Sequence, residues 1–247
     1  MKTLKIFFRT CAAVETLGSS RPYGLRKEEI TLKCLKSLLE SSKGFEKRIS
    51  LDIVDDSSPK DSLNKIEKVL KGYKIKWKIH TLSWKNNGMS LESTYRLAEK
   101  AKEDLIYFCE DDYFHLKEAI PSILNAYDSK IIFTDSFAIF PCDYPKHYRE
   151  VAPTLVFLGK YNYWRSIAQT TGTFVVPMKL FKRYKKSFYA LAEFNKNDHG
   201  GEKETINKLW EKEIPCILPM KTLTCHLHTT SLSPFVDWEK EIKLMKL

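Results

Sequence analysis

The stretch Asp104-Leu-Ile-Tyr-Phe-Cys-Glu-Asp-Asp-Tyr113 constrains this chain more than any other. Its apolar run, Leu105 to Cys109, is too short for a helix and rich in strand formers, so it reads as a strand buried on both faces. The strand ends in three carboxylates, Glu110, Asp111 and Asp112. Acids gathered there repel one another and lose hydration unless a cation neutralises them. A divalent ion is the common remedy, and oxygen ligands suit Mg2+ or Mn2+. In open α/β sheets, ligands settle at the carboxyl ends of strands. The plain alternative is a surface turn whose acids face water.

The residues before this stretch give it company. Leu4 to Phe8 reads as a first strand, and the breaker-rich segment through Gly18-Ser-Ser-Arg-Pro22-Tyr-Gly24 as a loop. Arg26 to Leu39 repeats its apolar residues at helical spacing. Ile49 to Val54 is a second strand ending in Asp55-Asp56-Ser57-Ser58, and Lys60 to Gly72 a second amphipathic helix. Ile75 to Leu82 is a third strand, Asn86-Asn87-Gly88 a turn, and Ser90 to Lys102 a third helix with Ser90 as its cap. Strand and helix alternating in this way predict a mostly parallel sheet with right-handed crossovers. Two of its strands end in paired acids, Asp55-Asp56 and Asp111-Asp112, which places both pairs at one sheet edge.

After Tyr113 the rhythm changes. Lys117 to Ala126 is expected to be helical, and Ile131 to Phe140 to be a strand pair or one bent strand. Thr154 to Leu158, Asn162 to Arg165 and Thr170 to Pro177 are expected as antiparallel strands. Leu180 to Phe194 reads as a helix. The polar loop Asn195 to Gly201 opens another helix from Glu202 to Lys212. Ile214 to Met220 and Leu223 to His228 are short strands, and Pro234 to Leu247 is a helical tail. No repeat or linker interrupts the chain, so residues 1–247 are expected to form a single α/β domain with a small antiparallel portion in the second half.

Composition narrows the partners. Lys and Arg outnumber Asp and Glu by 41 to 31, which favours phosphorylated substrates, polyanions or an anionic membrane surface. No stretch approaches the roughly 18 apolar residues of a spanning helix. Arg9 and Glu15 break any signal-peptide core. The six cysteines lie far apart without a CxxC pair. A reduced, cytoplasmic protein is the expectation.

This arrangement, with an Asp-Asp-Ser turn after the second strand and an acidic cluster after the fourth, resembles the GT-A fold of nucleotide-sugar-dependent glycosyltransferases. Val54-Asp-Asp-Ser-Ser58 is similar to the Val-Asp-Asp-Gly-Ser turn of the family-2-type enzymes. Asn87-Gly88, before the helix that feeds the acidic strand, matches their pattern, and Glu110-Asp111-Asp112 stands where they carry Asp-x-Asp. The resemblance implies a Rossmann-like sheet. Residues 1–115 would hold the nucleotide sugar, and residues 116–247 the acceptor and a C-terminal helix.

It further implies a metal-dependent, inverting hexosyl transfer from a UDP-sugar to a hydroxyl of a glycan or lipid-linked acceptor. Asp112 would bind Mn2+ or Mg2+, with His226 completing the metal shell and His228 as its competitor. Glu110 and Asp111 would act around the sugar and ribose. Asp55 and Asp56 would meet the base or ribose, and Thr10, Arg9 and Arg21 the base or phosphate. Asp198 is expected to be the general base, with Glu202 as close competitor and His199 suited to the same chemistry.

Two rivals remain. A nucleotidyltransferase of similar fold usually has a Gly-rich phosphate loop with a Lys near the first strand, and Cys11-Ala-Ala-Val14 offers none. A basic, non-catalytic nucleic-acid binder is permitted by net charge, but the lysines spread through helices rather than stacking with aromatics, so no nucleic acid is expected. Tyr161, Tyr163, Trp164, Trp84 and Trp238 read either as a sugar-stacking platform or as core. The basic tail, with Phe235, Trp238, Ile242 and Met245 at helical spacing, reads either as a peripheral membrane contact or as a face packed on the domain.

Overall fold

Strand β1 (Leu4–Thr10) lies between β2 (Ile49–Asp56) and β4 (Leu105–Glu110), parallel to both, and β2 also pairs in parallel with β3 (Lys76–Leu82). Helices α1 (Lys27–Ser41), α2 (Lys60–Lys71) and α3 (Asn87–Ala98) make the crossovers. The structure, a computed structural model, describes residues 1–12, 21–132, 136–149, 153–197 and 200–247. The apolar residues of β4, Leu105 to Cys109, are all buried. Burying a large apolar side chain contributes about 1.5–3 kcal/mol, which explains why this run sits inside the sheet. β3 lies at the sheet edge, and its exposed Lys76 and Lys78 discourage pairing with another chain.

The second half adds β5 (Tyr113–His115), α4 (Ala119–Asp128), β6 (Ala138–Ile139), β7 (Val156–Leu158), β8 (Tyr163–Ile167) and β9 (Phe174–Pro177). These are followed by α5 (Met178–Arg183), α6 (Lys185–Phe194), α7 (Asn207–Lys212), β10 (Cys216–Pro219), β11 (Thr224–His226) and α8 (Trp238–Leu244). Among the described residues nine strands form one sheet in the order β3-β2-β1-β4-β9-β6-β10-β8-β7. β9 joins β4 antiparallel, as do β8 on β10 and β7 on β8. The expected mostly parallel α/β sheet with an antiparallel portion is what forms. β11 and β5 make a separate antiparallel pair. The buried apolar side chains, from Leu4 to Ile242, form one cluster.

Several boundaries differ from the expectation. α3 starts at Asn87, because the Asn86 side chain accepts from the Met89 N–H at 3.0 Å; Ser90 lies inside the helix. Gly88 permits this start, since an added Cβ would stand 2.3 Å from the Ala192 carbonyl oxygen and the Lys196 nitrogen. The 180–194 helix breaks at Tyr184 into α5 and α6. The helix expected from Glu202 begins only at Asn207, after turns that follow Gly200 and Gly201. Both glycines have positive φ, 91° and 85°, a conformation other residues adopt at a cost. β11 stops at His226, so His228 lies beyond the strand. Of the strand pair or bent strand expected over 131–140, only Ala138–Ile139 (β6) is strand among the described residues, residues 131 and 132 being a bend, and residues 133–135 lie outside the described residues.

Candidate active site

Register brings the acids together. Thr10 of β1 faces Asp55 of β2, and Arg9 faces Glu110 of β4, so the two acidic turns flank the end of β1 on one rim. Their side chains are differently committed. Asp111 is buried and fully engaged. Its Oδ2 accepts from Thr10 Oγ1 at 2.7 Å, Thr31 Oγ1 at 3.0 Å and the Cys11 N–H at 3.3 Å, while Oδ1 pairs with the Lys27 ammonium. Asp56 gathers the loop after β3, accepting from the backbone N–H of Trp84 at 2.8 Å, Lys85 at 3.0 Å and Asn86 at 3.3 Å. Arg9 donates to Glu110 at 2.7 Å and to Asn87 at 2.5 Å.

Two oxygens are left over. Asp55 Oδ1 and Asp112 Oδ1 are buried and have no hydrogen-bond partner among the described residues. The other Asp55 oxygen accepts from the Ser58 N–H at 3.1 Å. Burial raises the Asp55 pKa, since desolvation disfavours its charged form. A buried unsatisfied acceptor costs about 1–3 kcal/mol, so these atoms mark where a ligand would complete the rim.

Asp112 Oδ2 lies 3.3 Å from His226 Nε2. The imidazole is steadied from two sides. It stacks on Tyr113 with centroids 4.9 Å apart and planes at 1°, and its Nδ1 lies 3.5 Å from Tyr144 Oη. Burial alone would raise the Asp112 pKa, but the neighbouring imidazole more than offsets this and holds the carboxyl below its ordinary range. Burial alone would lower His226, and Asp112 reverses that to a net rise. Among the described residues no group of three or more His, Cys, Asp or Glu side chains could hold a metal on its own. One carboxylate with an orphan oxygen and one imidazole nevertheless fit a hard divalent ion, because such ions take one or two protein ligands and fill the shell with substrate phosphates and water.

Arg21 is near enough for its charge to act on Asp112 and Lys27. Glu202 is half-buried in the turn before α7. Burial, with a further contribution from Glu110, raises its pKa. Asp198 and His199 lie outside the described residues. His228 Nδ1 is turned to Thr230 Oγ1 at 2.9 Å, so its imidazole is engaged away from Asp112.

The aromatic set separates. Trp164 and Trp238 are buried, whereas Trp84, Tyr161 and Tyr163 are exposed. Trp238 packs on Phe114, Ile242 is also buried, and Lys33 donates to the carbonyls of Ile242 and Met245. Trp238 and Ile242 of that apolar face are thus packed on the domain, whereas Phe235 is exposed. Among the described residues no helix is long and apolar enough to cross a membrane.

The sequence reading missed Lys27 and Tyr144, and it named Asn87 only as part of the turn before α3. Lys27 carried a signal: a cation in the first turn of a helix opposes the helix dipole, so it needs an acid nearby, and Asp111 supplies it. Nothing local marked Tyr144, whose partners Tyr113 at 2.5 Å and His226 are far away in the chain.

The family model described as "Glycosyl transferase family 2" matches residues 25–187, well over half of the chain. A search of the curated proteins finds no match. Among solved structures, S. aureus TarS superposes with a TM-score of 0.58 at 14% identity over 90% of this chain and 36% of that one. TarS 1-349 in complex with UDP gives a TM-score of 0.52 at 14% identity over 90% of this chain and 59% of that one. TarS 1-349 in complex with UDP-GlcNAc gives 0.51 at 14% identity, over 90% and 57%. The chain thus spans less than two thirds of the length of the TarS chains. At this identity the likeness shows the GT-A fold alone.

Proposed function

The chain belongs to glycosyl transferase family 2, and we propose that it is a metal-dependent, inverting enzyme that moves a sugar from a UDP-sugar to a hydroxyl of a glycan or lipid-linked acceptor. The observation that carries this is the pair of orphan carboxylate oxygens, Asp55 Oδ1 and Asp112 Oδ1, on one rim. A nucleotide sugar has a donor for the first in its base N–H or ribose hydroxyl, and a diphosphate that brings a cation to the second. The UDP preference is supported by fold likeness to TarS, which is recorded with UDP and with UDP-GlcNAc. In this reading residues 1–115 serve the donor and 116–247 the acceptor, within one domain.

Asp112 and His226 would hold Mn2+ or Mg2+. When bound, the ion neutralises charge developing on the leaving diphosphate. The protein does the rest. Asp111, fixed by Lys27, Thr10 and Thr31, sets the backbone from which Asp112 projects. Arg9, which also donates to Asn87, holds Glu110, and Gly172 leaves that carboxylate room, since a Cβ there would lie 2.9 Å from Glu110 Oε1. Arg21, whose charge acts on Asp112, would help to hold the base or phosphates.

Asp198 or Glu202 would take the proton of the acceptor hydroxyl, and Glu202 is the one of the two within the described residues. As that proton leaves, the oxygen bonds to the anomeric carbon and the bond to the diphosphate breaks. A single displacement inverts the centre.

Titration with Mn2+ and UDP tests the reading by thermal shift. Wild type is expected to be stabilised and Asp112→Asn not. No shift in wild type, or an equal shift in Asp112→Asn, overturns it. A panel of nucleotide sugars, scored for metal-dependent release of nucleoside diphosphate, then identifies the donor.

A further inference from the structure

We propose that Tyr148 and Phe235 form a stacking subsite for a pyranose ring of the acceptor glycan. This rests on the glycosyl-transfer reading and extends it to side chains that reading does not use.

Phe235 is 89% exposed and has a φ of 68°. An L-residue in that left-handed region costs about 1–2 kcal/mol, and no burial of the ring offsets it. A large apolar side chain held outward on a strained backbone points to a binding role. Its neighbour Tyr148, itself half outside, meets it edge to face, with centroids 5.9 Å apart and planes at 83°.

Tyr148 is fixed from its other sides. The Arg165 guanidinium lies 5.2 Å from its ring centroid. Its hydroxyl donates to Asp143, a buried carboxylate that also binds Arg165 at 3.0 Å and lies 3.1 Å from His147. The ring is therefore set in place before any ligand arrives, and preorganisation of this kind lowers the ordering cost of binding.

A hollow of about 230 Å³ adjoins the pair, lined by Tyr148, Phe235, Met220, Asp143, Lys221 and Thr222 among others. Pockets for nucleotide-sized ligands start at roughly 300 Å³, so this one suits a single ring. A pyranose has an apolar C–H face that seats on an aromatic ring and a rim of hydroxyls that needs polar neighbours. Lys221, exposed at the edge of the hollow with its ammonium 2.8 Å from Glu118, is the polar side chain beside it.

The hollow also connects to the catalytic end. Asp143 precedes Tyr144, whose hydroxyl lies 3.5 Å from His226 Nδ1. Thr222 donates to the Thr224 carbonyl, on the strand that carries His226. One short segment on each side therefore joins the aromatic pair to the candidate metal ligand.

Saturation-transfer NMR with the methyl α- and β-pyranosides of glucose, galactose, mannose and N-acetylglucosamine tests the proposal. Wild type is expected to transfer to the ring protons of at least one glycoside. The transfer should fall about fivefold in Phe235→Ala and in Tyr148→Ala, and persist in Phe235→Trp. UDP binding with Mn2+ should be unchanged in all three, which shows that the variants are folded. Absence of transfer from every pyranoside in wild type, or undiminished transfer in the two alanine variants, overturns the proposal. Should wild type bind no UDP, the donor reading fails while the same spectra still decide the stacking subsite.

Discussion

At the carboxyl ends of β1, β2 and β4 nearly every polar side chain is already held by another, whereas from β8 to the 235 region large aromatic side chains stand in solvent. Thr10, Asp56, Asp111, Arg9 and Glu110 are bound to one another or to backbone. Tyr161, Tyr163 and Phe235 are exposed. In the first region the acidic atoms left over are Asp55 Oδ1 and Asp112 Oδ1. In the second, exposed aromatic surface is what is left over. The difference teaches that adjacent acids in one run can have separate roles. Asp111 is fully engaged in building the rim, whereas Asp112 keeps one oxygen without a hydrogen-bond partner among the described residues.

The largest effect expected concerns Glu202. Glu202→Gln should lower kcat by roughly 10²–10⁴-fold, measured as UDP release with the best donor. Burial and Glu110 raise the Glu202 pKa, and a base must be ionised to act. In wild type kcat should therefore fall as pH drops through a value above the ordinary glutamate range. A profile flat through that window would assign the proton to another group.

The contrast within the acidic run comes next. Asp111→Asn strands the buried Lys27 and should cost about 3–5 kcal/mol of stability, read by denaturant unfolding. Asp112→Asn should change stability by about 1 kcal/mol or less, because His226 can lose its charge, yet abolish the Mn2+–UDP thermal shift. Equal stability losses in both would erase the distinction.

Gly88→Ala drives a Cβ against the end of α6 and should cost about 1–3 kcal/mol. The smallest effect is a gain. Ser57 stands in the turn after β2 with φ 68°, so Ser57→Gly should raise stability by about 0.5–1 kcal/mol. Thermal unfolding measures both.

Much of the first half of the chain was legible in the sequence because its signals are local. Apolar runs of strand length, helical periodicity and acids at strand ends each declare themselves within a dozen residues, and parallel order follows from their alternation. Ser57 is a small case: the family pattern has glycine at that place, and the positive φ shows why. What stayed hidden depends on distant partners. Asn86 reads as turn and caps a helix instead, because Gly88 lets that helix start against α6. Trp164 and Tyr163 are neighbours in sequence and face opposite ways, so density of aromatics alone separated neither platform from core. Glu202 lost its expected helix to the positive-φ glycines before it.

Helix α1 carries a consequence for how the molecule is assembled. Near its start Lys27 and Thr31 grip Asp111, and further along Lys33 reaches carbonyls 209 and 212 positions away, on Ile242 and Met245. A chain made from its amino end leaves that lysine waiting until more than 200 further residues have emerged. The brace behind the acidic rim thus closes only when α8 docks, and contacts of such sequence separation are slow to form.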